Sequence, residues 1–222
     1  WKGPAGEAIK SELASSVPGL PQAEPSLKIT YVQPKDFTGL LRYVRNILVV
    51  TIDPTAYTKV SVGYENNVWA RGQVVVSLKA PNTESIVEYS KTHEKALVNF
   101  FVKVEMNRAI EQLQKEYSMV VMDNLKSDLN VMLNAPANFT YYKDTTDFFW
   151  SSNNANTGRM DLIVYTFPYT DPNTFTEEYL VAKRDSVLKA NLPGSFPGSY
   201  MQTETRAGVE YTPITLNGKY CG

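Results

Sequence analysis

Residues 46–52 read Asn-Ile-Leu-Val-Val-Thr-Ile, a continuous apolar run that predicts a β-strand buried on both faces. Two further strands are indicated at 59–64 and 73–79, and the largely polar connector between them predicts an antiparallel hairpin. Pro81-Asn82-Thr83-Glu84 then begins a helix, which the apolar spacing continues to about residue 117. A sheet followed by a long helix indicates an α+β fold.

The rest of the chain extends this prediction on both sides. Helices are expected at 4–16, 34–45, 121–133 and 174–190, and strands at 27–32, 139–142, 147–150 and 160–169. The apolar stripe of the long helix slips near residue 105, which predicts a bend or a change of packing partner there. We therefore expect α+β with antiparallel or mixed sheets and a long bridging helix.

Two similar α/β sub-domains are one reading of this pattern. Ala80-Pro81-Asn82-Thr83 and Asp171-Pro172-Asn173-Thr174 both join a strand to a helix, although shared capping chemistry explains them as well as duplication does. The expected division is an N-terminal half at 1–118 that contains the long helix and a C-terminal half at 119–222. One continuous domain is the alternative, since 222 residues suit either.

Composition excludes several classes of function. The net charge is −1 and the basic residues are scattered among acidic ones, so no nucleic-acid partner is expected. No apolar run approaches the roughly 20 residues needed to span a bilayer. The chain has one His and one Cys, which excludes a His- or Cys-based metal site within one chain, and no cofactor is expected.

Recognisable catalytic motifs are missing as well. The sequence contains no phosphate loop, dinucleotide fingerprint, serine elbow or zinc-protease motif. His93 is interpreted as a boundary histidine of the long helix, and Cys221 lacks the positioned base that a nucleophile needs. Carboxylate-only catalysis stays open, but the candidate side chains are better interpreted as turn and cap residues; they are Glu24, Asp36, Asp53, Asp144, Asp147 and Asp161. No catalytic residue is assigned.

A polar loop suggests ligand recognition instead. Residues 150–158 read Trp-Ser-Ser-Asn-Asn-Ala-Asn-Thr-Gly between two apolar runs, so the loop is expected at the surface with several amides presented together. Trp150 would add a stacking edge. The candidate ligand-binding residues are Trp69, Arg71, Trp150, Asn153, Asn154, Asn156 and Tyr200. The alternative is that the tryptophans close a core and the asparagines only cap their own turns.

Several segments, in order along nearly the whole chain, together resemble an uncharacterised family of predicted lipoproteins from Bacteroidetes, classed as a domain of unknown function. They are 1–4 (Trp-Lys-Gly-Pro), 18–25 (Pro-Gly-Leu-Pro-Gln-Ala-Glu-Pro), 45–48 (Arg-Asn-Ile-Leu), 150–158, 197–201 (Pro-Gly-Ser-Tyr-Met) and 220–222 (Tyr-Cys-Gly).

The resemblance implies a lipid-anchored cell-envelope protein of which this chain is a soluble fragment. The signal and anchoring cysteine would precede Trp1, further sequence would follow Gly222, and the membrane would be contacted only through that anchor. The family brings no catalytic residues. Two hypotheses remain: a non-catalytic module that binds a glycan, peptide or other partner, which the missing motifs favour, and a carboxylate-dependent hydrolase acting on envelope glycans or peptides.

Overall fold

A computed structural model describes residues 2–20, 22–209, 211–216 and 219–221. The chain forms two compact units, residues 1–107 and 108–222. The described residues contain five α-helices, two three-stranded sheets and a two-stranded ribbon. This confirms the predicted α+β class, and one sheet is mixed while the other is antiparallel.

The first unit places helices around a mixed sheet. Its elements are α1 (Pro4–Leu13), β1 (Asn46–Ile52), β2 (Ser61–Asn66), β3 (Val74–Ala80), α2 (Thr83–Thr92) and the start of α3 (Ala96–Lys115). The strand order is β1-β3-β2, with β1 parallel and β2 antiparallel to β3. The antiparallel hairpin predicted for β2 and β3 is confirmed.

The core of this unit lies on one face of β3. Alternate residues of β3 point to that face and pack with apolar residues of the three helices; the buried set is Ala5, Ile9, Leu13, Val74, Val76, Leu78, Ala80, Ile86, Leu97 and Phe101. Alternate residues of the strand and the apolar faces of the helices thus form one cluster, as the two hydrophobic periodicities require.

Three local predictions for the first unit are wrong. The run at 46–52 is an edge strand with Val50 and Ile52 exposed, and the buried central strand is β3. An apolar run alone does not tell a central strand from an edge strand, because the topology decides which one is covered. Residues 27–32 are irregular although Leu27 and Ile29 pack on the core, and the helix expected at 34–45 is two 3-10 turns, Pro34–Asp36 and Gly39–Tyr43.

The predicted long helix is two helices, separated at residues 93–95. Helix α2 ends at Thr92, His93 is its C-cap, and α3 begins at Ala96. Lys95, between them, has a φ of 61°, a left-handed conformation that a helix interior does not allow. No glycine or proline marks this position, which is why the apolar spacing appears continuous across it.

The second unit is built on an antiparallel sheet. Its elements are α4 (Met119–Leu129), β4 (Tyr141–Thr145), β5 (Phe148–Ser152), β6 (Asp161–Tyr165), α5 (Glu177–Asn191) and a ribbon of β7 (Ile214–Leu216) and β8 (Lys219–Cys221). The order is β4-β5-β6. One face packs on α4 through Val121, Leu125, Phe139 and Phe149.

The other face of this sheet meets the C-terminal end of α5. The Lys143 ammonium, on the same face as Trp150, donates to the Asn191 carbonyl at 2.7 Å. The rest of that face, toward Tyr141 and Ser152, leads to the loop between β5 and β6.

Candidate functional site

The strongest candidate site is on the second sheet where β5 turns into β6. We call it the hairpin surface, and it comprises Tyr141, Trp150, Arg159, Asp161 and the loop 153–158. The register pairs Tyr141 with Ser152 and Trp150 with Lys143, so Tyr141 and Trp150 are diagonal neighbours on one face. Tyr141 is 55% exposed, which makes it a second aromatic side chain beside the tryptophan.

Trp150 is held in one orientation by its neighbours. Its indole Nε1 donates to the Asp161 carboxylate at 3.0 Å, and the Arg159 guanidinium lies over the indole ring at 6.0 Å. Arg159 also donates to both carboxylate oxygens of Asp161, through Nε at 3.0 Å to Oδ2 and through Nη2 at 3.0 Å to Oδ1. The ring is therefore fixed before any ligand arrives, which lowers the entropic cost of stacking on it.

The electrostatics of this cluster centre on Asp161. Partial burial acts to raise the pKa of Asp161, but hydrogen bonds from Arg159, Ser152 and Trp150 outweigh it and hold that pKa below its usual range. The carboxylate thus stays ionised in mildly acidic solution and keeps both Trp150 and Arg159 in place.

The loop asparagines divide into two kinds. The Asn153 side chain is used inside the loop: its Oδ1 accepts from the amides of Ala155 at 3.2 Å and Met160 at 3.1 Å, and its Nδ2 donates to the Gly158 carbonyl at 3.3 Å. Asn154, with a φ of 45°, and Asn156 are exposed. Asn153 therefore shapes the loop, while Asn154 and Asn156 face solvent and can meet a ligand.

The other predicted site residues lie elsewhere. Trp69 and Arg71 belong to the first unit, in the turn between β2 and β3, and the Trp69 ring meets Phe37 edge-on at 5.6 Å. Tyr200 belongs to the second unit and lies 5.0 Å from the Lys189 ammonium. Among the described residues, no hydrogen bond or ring contact joins Tyr200 to the hairpin surface.

Tyr200 lines a surface depression of about 430 Å³ together with Lys189 and residues 193–199. A second depression of about 550 Å³ lies beside α2 and includes Lys59, Glu88 and Tyr89. Both are built mainly from one segment and its neighbour, and neither contains a residue of the hairpin surface.

The single histidine makes local contacts. The His93 ring stacks on Tyr89 at 4.2 Å, and its Nδ1 is 2.9 Å from the Thr92 hydroxyl. Cys221 is in β8, and its side chain lies outside the described residues.

The candidate carboxylates adopt mostly local roles. Asp53 closes its own turn by accepting from the Thr55 amide at 2.8 Å, and Asp147 accepts from the Thr166 hydroxyl at 2.9 Å. Asp128 and Asp144 are close enough to hydrogen-bond; burial and the neighbouring Asp128 raise the pKa of Asp144.

The described residues offer neither a membrane-spanning helix nor a metal-binding cluster. In the described part of the chain, no helix is both long and apolar enough to cross a bilayer. Over the same residues, no group of three or more His, Cys, Asp and Glu side chains could hold a metal ion.

Comparison with known families divides the chain in two. Residues 1–114 match a domain of unknown function, DUF8532, and residues 118–222 match a second, DUF4837. The first match covers more than half of the chain, so the protein belongs to the DUF8532 family and carries a DUF4837-like region after it. No curated protein and no solved structure matches significantly.

The sequence predicts part of this surface. The polar loop indicates Trp150 and the asparagines. It does not indicate Tyr141, because only the pairing of β4 with β5 brings Tyr141 beside Trp150. For Asp161 the sequence suggests only a candidate catalytic carboxylate. A signal for its actual contacts exists: Arg159 and Asp161 are two apart and flank the start of a strand, which places both side chains on one face.

Proposed function

We propose that this chain is a non-catalytic binding module that holds a glycan or an extended peptide at the hairpin surface. The observation that carries the proposal is the fixed Trp150 ring, which Asp161 and Arg159 orient at an accessible strand end. An oriented indole with a neighbouring tyrosine supplies stacking area, and exposed amides supply hydrogen bonds; this combination suits sugars and peptide groups.

Affinity is expected to be modest, because Tyr141, Asn154 and Asn156 are exposed and offer an open surface. Asn154 and Asn156 are the amides available to a ligand, since Asn153 is used within the loop. Arg159 is paired with Asp161, so the surface favours a neutral ligand over a strongly anionic one.

The test is a glycan-array and peptide-library screen, followed by calorimetry on variants. Asn154→Ala/Asn156→Ala and Trp150→Phe should each weaken a true ligand about tenfold, which corresponds to about 1.4 kcal/mol. The matched control is Asn99→Ala/Asn107→Ala, two exposed asparagines on α3, which should bind as wild type does. A ligand whose Kd is unchanged in both folded site variants would place binding elsewhere, and a screen without any hit would count against a binding module.

We further propose that the full-length protein is a lipid-anchored component of a Bacteroidetes cell envelope. The support is the resemblance of six ordered segments, from residues 1–4 to 220–222, to predicted lipoproteins of that phylum. Metabolic labelling of the full gene product with an alkyne fatty acid, followed by membrane fractionation, tests this. An unlabelled protein recovered away from the membrane fraction would refute the anchor.

A further inference from the structure

The first unit carries an exposed apolar surface. It consists of Leu40, Tyr43, Val44, Val68 and Trp69, and we call it the apolar tip. Leu40 is 85% exposed and Tyr43 is 61% exposed, and the remaining three are exposed as well. Leu40 and Tyr43 are three residues apart in a 3-10 turn, where side chains at that spacing lie one above the other. Both therefore point away from the molecule together.

A single buried amide joins the two segments of the apolar tip. Gln73 is 1% exposed, and its Nε2 donates to the carbonyls of Arg42 at 2.7 Å and Val44 at 2.6 Å. Its Oε1 accepts from the Trp69 amide at 3.0 Å. Residues 42–44 and the turn with Trp69 are thus held within the reach of one side chain, so the two segments of the apolar tip lie side by side.

Basic residues lie in the same two segments as this surface. Lys35 and Arg42 lie in the same segment, and Arg71 lies in the turn, against one acidic neighbour, Asp36. Arg45 is different, since it pairs with Glu105 at 3.2 Å. Among the described residues, neither Arg42 nor Arg71 has a carboxylate within ion-pair distance, although the whole chain has a net charge of −1. The positive charge is therefore local to the apolar tip.

We propose that the apolar tip docks onto an anionic lipid surface, with Leu40, Tyr43 and Trp69 entering the headgroup region and Arg42 and Arg71 contacting lipid phosphates. Protruding leucine and aromatic side chains beside arginines are the composition of interfacial membrane contacts. A protein interface usually has anchor residues that fill well-packed pockets. Neither of the two depressions described above includes a residue of the apolar tip. The contact is independent of any covalent lipid and of the ligand proposed for the hairpin surface.

The experiment is co-sedimentation of the whole chain with vesicles of phosphatidylcholine alone or with about a third phosphatidylglycerol. Wild type should bind the anionic vesicles and lose most binding at about 1 M salt, because screening removes the attraction to phosphates. Leu40→Ser/Tyr43→Ser should lower the partition coefficient about tenfold, and Arg42→Gln/Arg71→Gln should lower it at least about tenfold.

Two matched controls distinguish binding through the apolar tip from nonspecific vesicle binding. Phe196→Ser removes an equally exposed apolar side chain of the second unit, and Lys91→Gln/Lys126→Gln removes two exposed positive charges elsewhere. Both should bind vesicles as wild type does. Thermal unfolding should show that all variants are folded, since every substituted side chain is exposed.

Equal weak binding of wild type to both vesicle types would overturn the proposal, and so would site variants that bind as strongly as wild type. Sedimentation velocity supplies a further outcome. If wild type is a dimer that Leu40→Ser/Tyr43→Ser converts to a monomer, without vesicle binding, the apolar tip joins two copies of the chain and the lipid proposal is wrong.

Discussion

Glu12 is a partly buried carboxylate at the interruption between α2 and α3. Its Oε1 accepts from the Leu97 amide at 2.8 Å and so satisfies a free donor at the start of α3. The Ser90 hydroxyl is nearby, yet neither Glu12 Oε2 nor Ser90 Oγ has a well-aligned hydrogen-bond partner among the described residues. Burial raises the pKa of Glu12, although the Leu97 amide, Ser90 and His93 act against it.

This raised pKa predicts how stability depends on pH. The folded chain binds a proton at Glu12 more tightly than the unfolded chain does. The stabilisation is therefore present below the unfolded pKa and is lost as pH rises through the folded pKa. Glu12→Gln keeps an acceptor for the Leu97 amide but carries no charge. The difference in free energy of unfolding, variant minus wild type, should therefore increase from about pH 4 to about pH 7.

Urea unfolding at both pH values measures this. Glu88→Gln, at an exposed position on α2, is the matched control and should follow wild type. Glu12→Ala should be less stable at both pH values, because the Leu97 amide then lacks its acceptor. If the stability of Glu12→Gln relative to wild type falls as pH rises, the ionised form of Glu12 is the stabilising one.

At the scale of elements, the side-chain amide of Gln73 attaches residues 37–44 to the sheet. Replacing Gln73 with Ala leaves the Arg42 and Val44 carbonyls without their donor and the Trp69 amide without its acceptor, in three partly buried hydrogen bonds. Buried polar groups left unpaired cost about 1–3 kcal/mol each, part of which water entering the gap recovers. We expect Gln73→Ala to lower the free energy of unfolding by about 3 kcal/mol.

Hydrogen exchange distinguishes this loss from a general one. The Trp69 amide should exchange faster in Gln73→Ala, since its acceptor is gone. Gln112→Ala, an exposed glutamine on α3, is the control and should stay within about 0.5 kcal/mol of wild type. Unchanged protection of the Trp69 amide would mean that the segment is held by other contacts.

The elements show which physical signals a sequence carries. Helices α4 and α5 and the hairpin of β2 and β3 follow from local periodicity and caps, as when Ser118 and Thr176 accept from amides three residues ahead. Asn82 caps α2, and Asp171 caps the 3-10 turn that follows it, so each strand-to-helix junction carries a local capping residue.

What the sequence did not reveal depends on distant partners. The break at Lys95 is stabilised by Glu12, which accepts from the Leu97 amide 85 positions away in the chain. No glycine or proline near Lys95 indicates the break. The edge position of β1 follows from strand order. Tyr141 joins the hairpin surface only through the register of β4 with β5. Each of these is a tertiary outcome that periodicity cannot encode.

At the scale of the whole molecule, we expect the two units to unfold separately. Leu97 is 3% exposed in the core of the first unit, so Leu97→Asp buries a charge without a partner and should cost several kcal/mol there. Amide protection in β3 should fall, while protection in β5 should stay as in wild type.

Met106→Asp, at an exposed position of the same helix, is the control and should change neither strand measurably. Hydrogen exchange by mass spectrometry reads both strands in one sample. A parallel loss of protection in β5 would show that the two units unfold as one cooperative body, against the expectation of separate halves.

The stacked pair at the end of α2 has a practical consequence. His93 is the one histidine of the chain, and its ring lies nearly parallel to Tyr89, at 14° and 4.2 Å. The ring current of the tyrosine shifts the imidazole carbon-bound protons away from their usual frequencies while the stack exists. A one-dimensional proton spectrum in heavy water therefore contains the two ring-proton signals of one histidine, which report, without isotopes or dyes, whether this corner of the molecule is intact.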